Sequence, residues 1–117
     1  MDEGRTKKNV FLDIKKVIEI LNDFLKTNEL ILFSKINDSE LRKIRSLNVD
    51  LHKISKKVVD KPDVQTFEEI KDLVYALDDF FRDKNTFLET YYEEEAEKIN
   101  KWLSALIHLI DEYEEIS

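Results

Sequence analysis

The chain has 117 residues, 42% of them apolar and 38% charged, carries a net charge of −7, and contains one Gly, one Pro and no Cys. That length suits one domain with its own core. So little Gly and Pro excludes a turn-rich β-sandwich or a Gly-looped nucleotide-binding α/β domain, both of which need residues that tolerate positive φ. The lack of Cys excludes disulfides, thiolate catalysis and Cys-ligated zinc or iron–sulfur clusters. An all-α fold remains.

The polar start, Met1 to Lys8, is read as a flexible tail preceding a single helical-bundle domain over 9–117. No apolar h-region follows it, so no signal peptide is expected. The longest unbroken apolar run, Leu30 to Phe33, is far below the roughly 20 residues of a membrane span. A cytoplasmic protein without a membrane partner is the expectation.

Helix one is predicted from Asn9 to Thr27, with Val10, Ile14, Val17, Leu21 and Phe24 as the seam and Phe11, Ile18 and Leu25 beside it. Residues 28–36 follow. Their apolar run admits a kinked continuation of helix one, a short separate helix or an extended segment. A lone strand would have no sheet to join, so a short helix near 28–36 is expected. It would either close one end of the bundle or expose Leu30, Ile31, Leu32 and Phe33 to a partner.

Asn37, Asp38 and Ser39 form a helix start. Helix two is read to about Asp60, with Leu41, Ile44, Leu47, Leu51, Ile54 and Val58 inward, and Pro62 stops it. Thr66-Phe67-Glu68-Glu69 has capping-box spacing and opens helix three, whose seam is Phe67, Ile70, Val74, Leu77 and Phe81, with Leu73 and Phe80 alongside. The pattern breaks at Arg82-Asp83-Lys84-Asn85, and a second capping box, Thr86 to Glu89, opens helix four.

Helix four, Thr86 to Ile116, is read as the organising element. Leu88, Tyr92, Glu95, Ile99, Trp102, Leu106, Leu109 and Tyr113 form a stripe widened by Ala96, Leu103 and Ile110. Some thirty residues give about 45 Å of helix, the longest expected here. Trp102 is placed at the centre of the core, and Glu95, on the seam, is expected to reach a cation of helix two or a tyrosine hydroxyl, since a lone buried carboxylate is costly. Short connections favour an antiparallel up-and-down four-helix bundle. An overhanging helix four would suit a homodimer.

Charge is divided along the chain. Residues 1–61 hold fourteen Lys and Arg against ten Asp and Glu, and residues 62–117 hold five against sixteen. Two attracting halves of one bundle are the simplest reading.

Three groups could carry chemistry. His108 with Asp111 and Glu112 is a trio on one helix, without the converging ligands that a metal needs, so neither metal nor cofactor is expected. The basic side of helix two, Arg42, Lys43, Arg45, Lys53, Lys56, Lys57 and Lys61, offers phosphate contacts. The third group is Arg45 and His52, two helical turns apart on one face. The stretch from Arg45 to His52 resembles the Arg-x(4–6)-His pattern of HEPN ribonucleases, small helical bundles that dimerise. Ser46 stands where that family often has Asn or Asp. The resemblance implies that Arg45 would stabilise phosphate charge and His52 would act as acid or base.

No nucleophile triad or phosphate loop is found. The reading that follows is a non-enzymatic protein-binding module, a regulator, inhibitor, adaptor or complex subunit. Its candidate contact residues are Leu30, Ile31, Leu32 and Phe33 and the acidic Glu93, Glu94 and Glu97. The alternatives are a nucleic-acid-binding protein using Arg42, Arg45, Lys53, Lys56 and Lys57, and a HEPN-like ribonuclease using Arg45 and His52.

Overall fold

A computed structural model describes residues 6–57 and 63–116, with only the backbone described at 85–87. Among the described residues five helices follow one another: α1 Lys7–Leu32, α2 Asp38–Lys57, α3 Val64–Asp83, α4 Asn85–Tyr91 and α5 Glu93–Glu115. Pro62, Lys61 and Val58, to which the sequence assigned the end of helix two, lie outside the described residues.

The long helices pack in a ring, α1 on α2 and α5, and α3 on α2 and α5. Side-chain pairs set their directions. Phe11 meets Tyr113 and Phe24 meets Trp102, so α1 and α5 are antiparallel. Asn22 reaches His52 and Glu29 reaches Arg45, which reverses α2 on α1. Lys57 bonds Glu69, Glu40 pairs with Lys84, and Lys71 bonds Glu114, which reverse α3 against both α2 and α5. Every neighbour therefore runs opposite to the next within extents of 46 × 27 × 20 Å.

Helix α1 begins at Lys7, with the Thr6 hydroxyl accepting the Asn9 amide at 3.2 Å. Its far end corrects the expectation of a separate helix at 28–36. α1 continues unbroken to Leu32, because nothing stops it at Thr27 and Leu32 repeats the buried series Ile14, Ile18, Leu21 and Leu25. The Asn28 side chain stays within the helix, donating to the Phe24 carbonyl at 2.8 Å. Phe33 then turns inward against Phe80 and Phe81 and closes that end of the bundle.

The Asn37 side chain caps α2 by accepting the Glu40 amide at 2.8 Å, as its sequence suggests. The start of α3 differs from the capping-box expectation: Asp63 is the N-cap, and Thr66 lies one turn inside the helix and is buried.

A break after Asp83 is present, with Lys84 between α3 and α4. No side-chain bond from that residue caps α4, which opens at Asn85; the Thr86 side chain, to which the second capping box was assigned, lies outside the described residues. A further interruption at Tyr92 divides the expected helix four. The chain must reverse between α3 and α5, and the short α4 makes that crossing. At 23 residues α5 spans about 35 Å and α1, at 26, about 39 Å, so the last helix is not the longest and its overhang no longer argues for a dimer.

The break also resets the face of α5. Ala96, Ile99, Leu103, Leu106, Ile110 and Tyr113 are buried, whereas Trp102 and Leu109 are half-buried on the flank. Trp102 is thus not the core centre; it packs edge-on against Phe24, centroids 5.0 Å apart. Glu95 falls in the first turn of α5, where a carboxylate suits the helix dipole. Among the described residues it forms neither of the expected bonds, because α2 lies diagonally across the ring.

Candidate functional site

Two regions gather the residues to which the sequence pointed. The first is the end of the bundle where α1 finishes and α5 begins. Leu30 and Ile31 are 79% and 57% exposed there, but Leu32 and Phe33 are core residues and present nothing to a partner. Tyr91 is exposed at the same end, with the Lys35 ammonium 5.1 Å from its ring centroid. Glu93, Glu94 and Glu97 are exposed on the opening turns of α5. The antiparallel pairing of α1 with α5 puts these apolar and acidic groups at the same end of the bundle, although some sixty residues separate them in sequence.

The second region is a groove of about 460 Å³ between α1 and α2, lined by Lys26, Arg45, Asn48, Val49, His52 and Lys53 among others. Spacings of three, four and seven residues on each helix place these side chains on facing sides. Glu29 accepts from Arg45 Nε at 2.9 Å, which neutralises the guanidinium. Lys26 and Lys53 form no ion pair with any described residue. The Asn22 amide nitrogen stands 3.4 Å from His52 Nδ1. As that nitrogen can only donate, Nδ1 accepts, which leaves Nε2 as the proton-bearing nitrogen of the neutral ring.

Asn48 is the unusual member. Both its amide oxygen and its amide nitrogen are buried without a hydrogen-bond partner. Such a group carries a desolvation penalty of about 1–3 kcal/mol. Sequence reading passed over Asn48, and the available signal was a polar residue next to the inward positions Leu47 and Leu51.

Arg45 and His52 do share this groove. The other cations of α2 divide: Arg42 and Lys56 are exposed, and Lys57 bonds Glu69 at 2.6 Å. His108 is exposed on α5, and among the described residues no cluster of three or more His, Asp or Glu is placed to hold a metal. Nor, among those residues, is any helix long and apolar enough to cross a membrane.

Charge is sorted by side. α1 and α2 carry eleven Lys and Arg against seven Asp and Glu; α3 and α5 carry four against fourteen. The basic α2 and the acidic α5 are diagonal, so these two helices are not neighbours in the ring. Across the boundary between the halves Lys57 of α2 bonds Glu69 of α3, while Glu40 of α2 pairs with Lys84 in the opposite sense.

Compared with protein-family models, curated proteins and solved structures, the chain matches none of them.

Proposed function

We propose that the protein is a non-enzymatic binding module for another protein, a regulator, inhibitor, adaptor or complex subunit. Its contact surface is the end of the bundle formed by Leu30, Ile31 and the start of α5. The observation that carries this reading is the 79% exposure of Leu30 beside the 57% exposure of Ile31, with Glu93, Glu94 and Glu97 at the same end. Burying an exposed Leu or Ile side chain contributes about 1.5–3 kcal/mol, so two adjacent ones form a small anchor. An acidic rim speeds encounter with a basic partner and makes association sensitive to salt. The partner surface would therefore pair an apolar pocket with Lys or Arg at its edge.

The test is an affinity pulldown from host lysate, eluted in steps of rising salt, with proteins and nucleic acids both identified. One protein should be recovered stoichiometrically, and the Leu30→Asp, Ile31→Asp double variant should lose it. Recovery of nucleic acid without a stable protein partner would overturn the reading.

A second reading is nucleic-acid binding through the α2 side, favoured by the excess of Lys and Arg that α1 and α2 share. It predicts steep salt dependence that weakens by about one unit of slope for each cation removed among Arg42, Lys53 and Lys56.

A further inference from the structure

We propose that the α1–α2 groove is a binding site for a nucleoside phosphate unit, with the phosphate held by Lys26, Lys53 and His52 and the base read by the Asn48 amide. The groove holds three nitrogen donors suited to an anion, and its single lining carboxylate, Glu29, is already occupied by Arg45. Lys26 and Lys53 have no ion-pair partner among the described residues, so a phosphate displaces nothing. His52 Nε2 is left as a donor by the contact of Nδ1 with Asn22. These groups account for the anion.

Asn48 accounts for the rest of the ligand. An amide offers a donor and an acceptor in one plane, the complement of a nucleobase edge. Both atoms are buried and unpaired, so rotating the side chain into the groove costs no existing hydrogen bond. Val49, 52% exposed on the same face, supplies an apolar surface for the flat side of a ring. The volume of about 460 Å³ lies within the roughly 300–1,000 Å³ of small-molecule sites. A bare phosphate would leave Asn48 and Val49 unused. The unit could be a free mononucleotide or one nucleotide of a single strand, and the same contacts serve both.

The experiment is an NMR titration of the isotope-labelled full chain with each of the four ribonucleoside monophosphates, with inorganic phosphate, and with a short single-stranded RNA lacking a terminal phosphate. At least one mononucleotide or the RNA should bind tenfold or more tighter than inorganic phosphate, shifting amides around Lys26, Asn48 and Lys53. Lys53→Ala and His52→Ala should each weaken that binding at least fivefold. Asn48→Leu should abolish it without lowering the thermal midpoint, which an amide of purely structural role would not do. Glu114→Gln, on the opposite side, should leave it unchanged. Mononucleotide binding without RNA binding identifies a free ligand; RNA binding with the same variant dependence identifies a strand. Nucleotides and RNA binding no tighter than inorganic phosphate, shifts confined to other surfaces, or full binding by Asn48→Leu would overturn the proposal. A Leu30→Ser, Ile31→Ser double variant, which adds no charge one turn from Lys26, should titrate like the parent, so this outcome is independent of the protein-partner reading.

Discussion

The Asp63 carboxylate holds Thr66 twice, accepting its hydroxyl at 2.7 Å and its backbone amide at 3.3 Å. Thr66 is a buried polar residue at 4% exposure, and this pair starts α3. The hydroxyl bond is the main reason that the Asp63 carboxyl titrates below its ordinary 3.8, helped by the amides of Thr66 and Gln65. A lowered folded pKa contributes stability above the ordinary value, and that contribution disappears as pH falls through the folded value. Asp63→Asn should therefore lower the urea midpoint at pH 6, and the gap to the parent should be narrower at pH 2, as protonation of the carboxyl removes its contribution. Thr66→Val should cost about 1 kcal/mol at pH 6. An equal gap between Asp63→Asn and the parent at both pH values would refute this account.

The same pair shows what was legible in the sequence. Thr66 and Glu69 have capping-box spacing, yet Asp63 is also an N-cap residue with its own hydrogen-bond acceptor three residues ahead of Thr66. Two local solutions competed, and the buried position of Phe67 and Thr66 decided between them. Local spacing marked the helix and left its first residue open by one turn.

Trp102 and Leu103 give a sharper test of how far periodicity carries. The stripe through residues 95, 102 and 109 and the stripe through 96, 103 and 110 are one position apart, so hydrophobic spacing alone could not rank them. The interruption at Tyr92, unmarked by Gly or Pro, sets the rotation of α5 and places Leu103 inside. Leu103→Ala should cost about 2–5 kcal/mol, whereas Trp102→Phe, on the flank, should cost less than about 1.5 kcal/mol. Chemical denaturation of both variants checks this, and the reverse order would return Trp102 to the core.

Lys71 and Tyr113 should limit stability at high pH. The Glu114 carboxylate, 2.6 Å from Lys71 Nζ, holds the lysine above its usual 10.5. Burial pushes the Tyr113 phenol above 10.0. Both folded groups keep a proton that the unfolded chain has already lost. Their contributions are complete below the unfolded pKa values and fade as pH rises through the folded ones. The thermal midpoint should thus fall progressively above about pH 10, and Lys71→Met with Tyr113→Phe should flatten that fall. A double variant with the same alkaline slope as the parent would remove both residues from the explanation.

Charge sorting was half legible. The division into a basic and an acidic half is written in the sequence, but contact between those halves depends on which helices are neighbours. Four helices in a ring leave two diagonal pairs, and here α2 and α5 form one of them. The expected partner of Glu95 was lost for that reason. Leu30 and Glu93 lie at one end of the bundle because α1 and α5 are antiparallel neighbours.

Asn48 provides the last test, because stability and binding should move in opposite directions there. Its amide is buried with neither atom bonded, beside the inward residues Leu47 and Leu51. Asn48→Leu removes an orphaned donor and acceptor and adds apolar contact, so it should be neutral or stabilising by up to about 3 kcal/mol. Urea midpoints of Asn48→Leu and the parent read this directly. A chain that keeps an unpaired polar group where leucine would be more stable is consistent with a role for that group outside folding. If Asn48→Leu instead lost more than about 1 kcal/mol, the amide would be satisfied in solution, and the groove would lose its reader for a planar ligand.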